Sequence, residues 1–145
     1  MKRSFVATAN AGPEEVWKLF VDVERWPQLS PTIREVRRLD QGPFQVGSEV
    51  TVAQPRLPIA RWRVTHMQPG HSFVWETSTP GVTSIGGHYV EAAGEGSIIT
   101  LTLEMRGVFA GIAGALTGRL VQEYVSRELE GFRRGAESAA SPILR

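Results

Sequence analysis

The sequence predicts an α+β domain in which a seven-stranded antiparallel sheet packs against one long C-terminal helix. Three observations carry this. Six short runs between Ile33 and Arg106 alternate apolar and polar residues and are separated by Gly- and Pro-rich turns. A stretch from about Gly111 to Ser138 repeats its apolar residues at helical spacing. Ahead of both stands a short strand followed by a helix-start signal. At 145 residues the chain reads as one domain over 1–140 with a short tail, 141–145.

Ser4–Ala9 is the first strand, ended by the turn residues Asn10-Ala11-Gly12. Pro13 at a first helical position, with Glu14 and Glu15 behind it, starts a helix. Proline needs no partner for an N–H there, and acids suit the helix dipole. Val16, Trp17, Leu19 and Phe20 give this helix one apolar side. Asp22 to Trp26 reads as a second short helical turn that stops at or before Pro27.

The remaining strands are Ile33–Asp40, Gly47–Gln54, Ile59–Met67, Ser72–Ser78, Val82–Glu91 and Ser97–Arg106. Turns such as Gln68-Pro69-Gly70 and Thr79-Pro80-Gly81 are too short for crossovers, so the strands meander as antiparallel hairpins. Ile99, Leu101, Leu103 and Met105 share one face, with Thr100, Thr102 and Glu104 on the other. Phe73 and Trp75 oppose Val74 and Glu76, while Trp62 and Val64 oppose Arg61, Arg63 and Thr65. One face is therefore buried and one wet.

In the last element Val121, Val125 and Phe132 fall together, flanked by Leu120, Tyr124 and Leu129. Gly114 and Gly118 occupy its inward side where bulk is expected. Glycine inside a helix costs roughly 0.5–1 kcal/mol relative to alanine. Two readings stay open for Gly107 to Gly118: a helix with a packing or cavity reason for its glycines, or a loop.

Composition removes several function classes. With no cysteine there is no disulfide scaffold, no thiolate metal site and no thiol catalysis. Sixteen Lys and Arg against 15 Asp and Glu leave a formal charge of +1, without the basic field that nucleic acid requires. His66, His71 and His88 lack metal-ligand spacing, and no phosphate loop or dinucleotide fingerprint is present. No metal, cofactor or nucleic-acid partner is expected. The apolar run near the N-terminus is too short for a signal-peptide core, and Gly107–Gly118 is well short of the ~18–20 residues that span a bilayer. The expected location is cytoplasmic, without integral membrane association.

The order of elements, with Ala11-Gly12-Pro13-Glu14-Glu15-Val16-Trp17, Asp22-Val23-Glu24-Arg25-Trp26-Pro27, Val46-Gly47-Ser48, Phe73-Val74-Trp75 and Gly87-His88, resembles the START/SRPBCC helix-grip superfamily. The likeness runs over about residues 2 to 138 and leans to its polyketide cyclase/dehydrase-like branch. It implies a curved sheet wrapped around the long helix, with an apolar cavity between them. That superfamily hosts lipid carriers, cyclases, hormone receptors and ring-hydroxylase domains, so the fold alone selects no function.

Strand parity then gives a candidate lining. Gln54, Trp62, Phe73 and Trp75 come from the middle strands, and Ser84, His88, Leu101 and Leu103 from the last two. Leu120, Tyr124 and Glu128 come from the helix. Trp62 and Trp75 offer flat walls for an aromatic ligand or pack a core. Trp17 and Trp26 read as structural anchors. His88 is the candidate catalytic residue, either a proton shuttle with a near-neutral pKa or a buried histidine satisfied by a neighbour. Glu128 lies near the centre of the apolar stripe, where it faces the cavity, pairs with a base, or is exposed at the wetter end of the helix. Arg34, Arg37, Arg38, Arg56, Arg61 and Arg63 form either a basic outer patch or a solvated sheet face.

The leading expectation is binding of a hydrophobic or aromatic small molecule, lipid- or polyketide-like. The alternatives are a cyclase/dehydrase-like enzyme using His88 and a protein-interaction module.

Overall fold

The computed structural model describes residues 1–140; the tail assigned to 141–145 lies outside them. Strand β1 (Lys2–Ala9) leads into helix α1 (Pro13–Val21), a 3-10 turn (Val23–Arg25) and a short helix α2 (Trp26–Leu29). Six strands follow: β2 (Glu35–Arg38), β3 (Glu49–Ala53), β4 (Ala60–Gln68), β5 (Ser72–Thr79), β6 (Val82–Ala93) and β7 (Gly96–Arg106). Helix α3 (Ala110–Ala140) closes the chain. The sheet runs β1-β7-β6-β5-β4-β3-β2 with every pair antiparallel, so β2 to β7 meander and β1 returns along β7. This is the helix-grip arrangement.

Pro13 opens α1 as expected, and Val16, Leu19 and Phe20 bury its apolar side. The short helix does not stop before Pro27: α2 runs through it. Pro27 lies in the first turn, where its missing N–H leaves no hydrogen bond unmade. Trp26 is buried and its indole donates to the Leu19 carbonyl at 2.9 Å, tying α2 to α1.

β2 is shorter than the alternation predicted, beginning at Glu35 rather than Ile33. In β4 the register slips between Val64 and His66, because Val64 pairs with Trp75 and His66 with Val74. The extra residue, Thr65, is a bulge that shifts the parity. Beyond it Met67 packs on the core and His66 is exposed.

Between the two readings of Gly107–Gly118, the structure selects a helix from Ala110 onward. Gly107 itself stays outside it at φ +117°, and a side chain there would collide with the Gly81 carbonyl. Gly118 is buried because β1 crosses it. Arg3 Nη1 donates to the Gly118 carbonyl at 3.1 Å and to Gln122 Oε1 at 3.0 Å. A Cβ on Gly118 would stand 3.1 Å from that guanidinium.

Three of the six arginines in the candidate basic patch are ion-paired. Arg61 is ion-paired with Glu49, Arg37 with Glu35 and Arg38 with Asp40. Among the described residues no helix is long and apolar enough to cross a membrane.

Candidate ligand-binding cavity

A cavity of about 540 Å3 lies between the concave sheet face and α3. That is within the usual range for a site that holds a small molecule. Helix α3 roofs it with Ala113, Thr117, Val121, Tyr124, Val125 and Glu128. These recur at three- and four-residue steps on one face and extend about 22 Å at 1.5 Å per residue. Gln54, Trp62, Trp75, Thr77, Ser84, Gly86, His88, Leu101 and Leu103 supply the sheet side. At one end the wall residues Pro58, Ile59, Ser78 and Thr79 are exposed, and Ile59 is 71% accessible. At the other, Trp26, Ile33, Val52 and Leu101 are buried. The cavity therefore opens beside the first turns of α3, where Val108, Phe109, Ile112 and Leu116 are also exposed.

Trp26, Trp75 and Trp62 stand in a row, with centroids 5.2 Å and 5.4 Å apart. Gly86 makes room for it, since a Cβ there would lie 2.9 Å from Trp75 Nε1. A small residue on β6 thus lets an indole lie flat across the sheet.

Of the eleven residues the sequence nominates, nine reach this wall and two do not. Phe73 is fully buried below it, among Phe20, Trp26, Phe44 and Trp75. Leu120 lies about 100° around α3 from Val121 and is half-buried outside the lining. Sequence reasoning missed Ala113, Thr117 and Trp26 as wall residues. The helical series running back from Glu128 contains the first two, but the open question over Gly107–Gly118 hid it. Trp26 carries no local signal, because only the docking of α2 brings it to the cavity.

His88 is 7% exposed and its ring stacks on Phe73 at 4.1 Å, 10° from parallel. Burial pushes its imidazole down to about 3, against a weaker opposing hydrogen bond to the Phe73 carbonyl. Nδ1 lies 3.3 Å from that carbonyl oxygen, which fixes a neutral tautomer with Nδ1–H donating. The near-neutral pKa on which the proton-shuttle reading depended is absent. His88 is a neutral imidazole built into the floor.

Glu128 is not exposed. Its carboxylate is enclosed by protein, and the surface it retains faces the cavity. Gln54 Nε2 donates to Oε2 at 3.2 Å and also to the Thr32 carbonyl at 3.3 Å. Burial pushes the Glu128 carboxyl up to about 7, although hydrogen bonds from Gln54 and Thr32 pull the other way. Tyr124, one turn earlier, donates its hydroxyl to the Pro55 carbonyl and pins α3 to the loop after β3. Among the described residues no group of histidine, aspartate and glutamate is arranged to hold a metal ion.

Residues 2–137 match the protein family described as polyketide cyclase / dehydrase and lipid transport. The chain belongs to this family. No curated protein sequence matches it. Among solved structures it is similar to the Zhui aromatase/cyclase from Streptomyces sp. R1128, with a TM-score of 0.80 and 18% identity over 99% of this chain and 97% of that one. It is likewise similar to TTHA0849 from Thermus thermophilus, with a TM-score of 0.76 and 19% identity over 97% of this chain and 100% of that one. Major latex-like protein 151 from Panax ginseng gives 0.73 and 14% identity over 92% and 97%. At such identities the structural likenesses establish the fold. The family membership rests on the sequence match.

Proposed function

We propose that this member of the polyketide cyclase / dehydrase and lipid transport family binds a hydrophobic or aromatic small molecule, lipid- or polyketide-like, in the cavity under α3. The observation that carries the reading is the 540 Å3 void itself, walled by the Trp26-Trp75-Trp62 row and open at one end. At ~25 cal/mol per Å2, burying some ~300 Å2 of apolar ligand surface yields about 7 kcal/mol before association costs. Micromolar binding then needs no special chemistry. Polar groups at Gln54, Thr77, Ser84 and Glu128 would orient the ligand within an apolar wall.

A cyclase- or dehydrase-like step on the bound molecule is the second reading, favoured by one observation. Glu128, rather than His88, is the cavity residue whose pKa burial brings close to neutrality, up to about 7.

The test is native mass spectrometry of the protein after exposure to a small-molecule extract of its host, with tryptophan fluorescence alongside. A defined adduct, lost on denaturation and weakened by Trp62→Ala, is expected. A new product mass abolished by Glu128→Gln would establish turnover. Absence of any adduct or fluorescence change, with the extract supplemented by fatty acids and polycyclic aromatics, would sink the binding reading.

A further inference from the structure

We infer that Glu128 makes the cavity selective for molecules that carry a basic nitrogen on an apolar or aromatic body. This rests on the cavity-binding reading and narrows it to a class of ligand.

The geometry around the carboxylate is one-sided. Gln54 points an amide N–H at Oε2, and its position is fixed by a second bond to the Thr32 carbonyl. The Thr32 hydroxyl also favours the ionised form of Glu128, and it is held by Ser30 Oγ at 2.7 Å. Both neighbours are neutral donors, an arrangement that suits an anion and offers nothing to a cation. A buried carboxylate with only neutral partners remains poorly compensated.

Among the described residues none supplies a counter-charge. From β4, Arg61 reaches the cavity wall, but its guanidinium is ion-paired with Glu49. From β6, His88 is neutral and bonded to the Phe73 carbonyl. On α3, Arg127 pairs with Glu123 at 3.1 Å on the exposed side, and the Tyr124 hydroxyl is taken by Pro55. Among the described residues Glu128 has no ion pair. Its unmet requirement is a cation delivered from the cavity.

A ligand ammonium meets that requirement with a charge-assisted hydrogen bond. Trp26, packed among Phe73, Trp75, His88 and Phe132, gives this end an apolar wall for the ligand's body. A ligand carboxylate would instead meet a like charge in an apolar enclosure. The cavity is thereby tuned against free fatty acids and towards hydrophobic amines.

Three fluorescent probes of nearly equal size test this: anthracenylmethylamine, anthracenylmethanol and anthracene carboxylate, titrated into the intact protein at about pH 8. The amine is expected to bind about tenfold or more tighter than the alcohol, with the carboxylate weakest. Glu128→Gln should reduce the amine's affinity at least about fivefold more than the alcohol's. The wild-type preference should also fade below about pH 6, as Glu128 takes up its proton, which gives a readout independent of any variant. Equal binding of the three, or a preference that survives Glu128→Gln, overturns the amine inference and leaves the cavity reading standing. Failure of all three to bind overturns both.

Discussion

The inward face of the sheet is filled at one end and open at the other, although the same alternating strands build both. At the filled end Phe20 from α1, Trp26 from α2 and Phe132 from α3 converge on Phe73 and His88, with neighbouring ring centroids 4.1–6.3 Å apart. At the open end nothing from α1 or α2 arrives. There α3 presents Ala113 and Thr117, and the sheet presents Thr77, Ser84 and Gly86. A void exists where small side chains on the helix face small side chains on the strands. Two buried titratable groups stand towards the closed end, and they answer their surroundings in opposite ways. His88 is driven to its neutral form by loss of proton, and Glu128 by gain of one.

The largest effect that can break this comparison is truncation at the filled end. Phe20 is fully buried in the aromatic cluster, so Phe20→Ala should cost about 3–5 kcal/mol in urea unfolding. A loss below about 1 kcal/mol would mean that the cluster is loosely packed and that the two ends do not differ.

The pH dependence of stability separates the two groups next. His88 falls from 6.5 to about 3 on folding, so the unfolded chain binds the extra proton between those values and stability rises with pH there. Glu128 rises from 4.5 to about 7, so the folded chain binds the extra proton and stability falls as pH climbs through that window. Between about 4.5 and 6.5 the two slopes oppose each other, and the wild type should be nearly flat. Glu104 and Glu130, which hydrogen bonds from Arg106 and Arg133 hold below the usual glutamate value, titrate beneath this window. His88→Leu should unmask a decline of about 2–3 kcal/mol from pH 4.5 to 7, and Glu128→Gln a rise of similar size from pH 4.5 to 6.5. Chemical denaturation across that range reads both, and a slope unchanged in either variant would refute its assignment.

The smallest effect sharpens the comparison from the open end. Ala113→Leu places a larger side chain where the roof adjoins empty space, so stability should change by less than about 1 kcal/mol. The same variant should weaken binding of anthracenylmethanol, since it occupies part of the mouth. A destabilisation of about 2 kcal/mol or more would show that the space beside Ala113 is already filled.

The fold was legible because its signals are local and repeated. Pro13 with Glu14 and Glu15 marks α1, Gly and Pro mark the hairpins, and two periodicities separate strands from helix. The departures have specific causes. The Thr65 bulge leaves no mark in an alternating run, and α2 crosses Pro27 because a first-turn proline is tolerated. Strand parity placed seven of its eight nominated side chains on the cavity wall, since each strand contributes one face as a unit, and helical spacing placed two of its three. Parity failed for Phe73, which has the right face but lies beneath other aromatic rings. Depth along a strand is set by what docks on it.

The sequence by itself determined the order of elements, the buried face of each and the absence of thiol chemistry, because periodicity and residue type act within a few residues of one another. Only the tertiary structure decided that Gly118 accommodates β1, that His88 is neutral, and that Glu128 faces a cavity with no ion pair among the described residues. Those outcomes depend on desolvation and on contacts between residues far apart in the chain. Their energies are set by neighbours that the local pattern does not name.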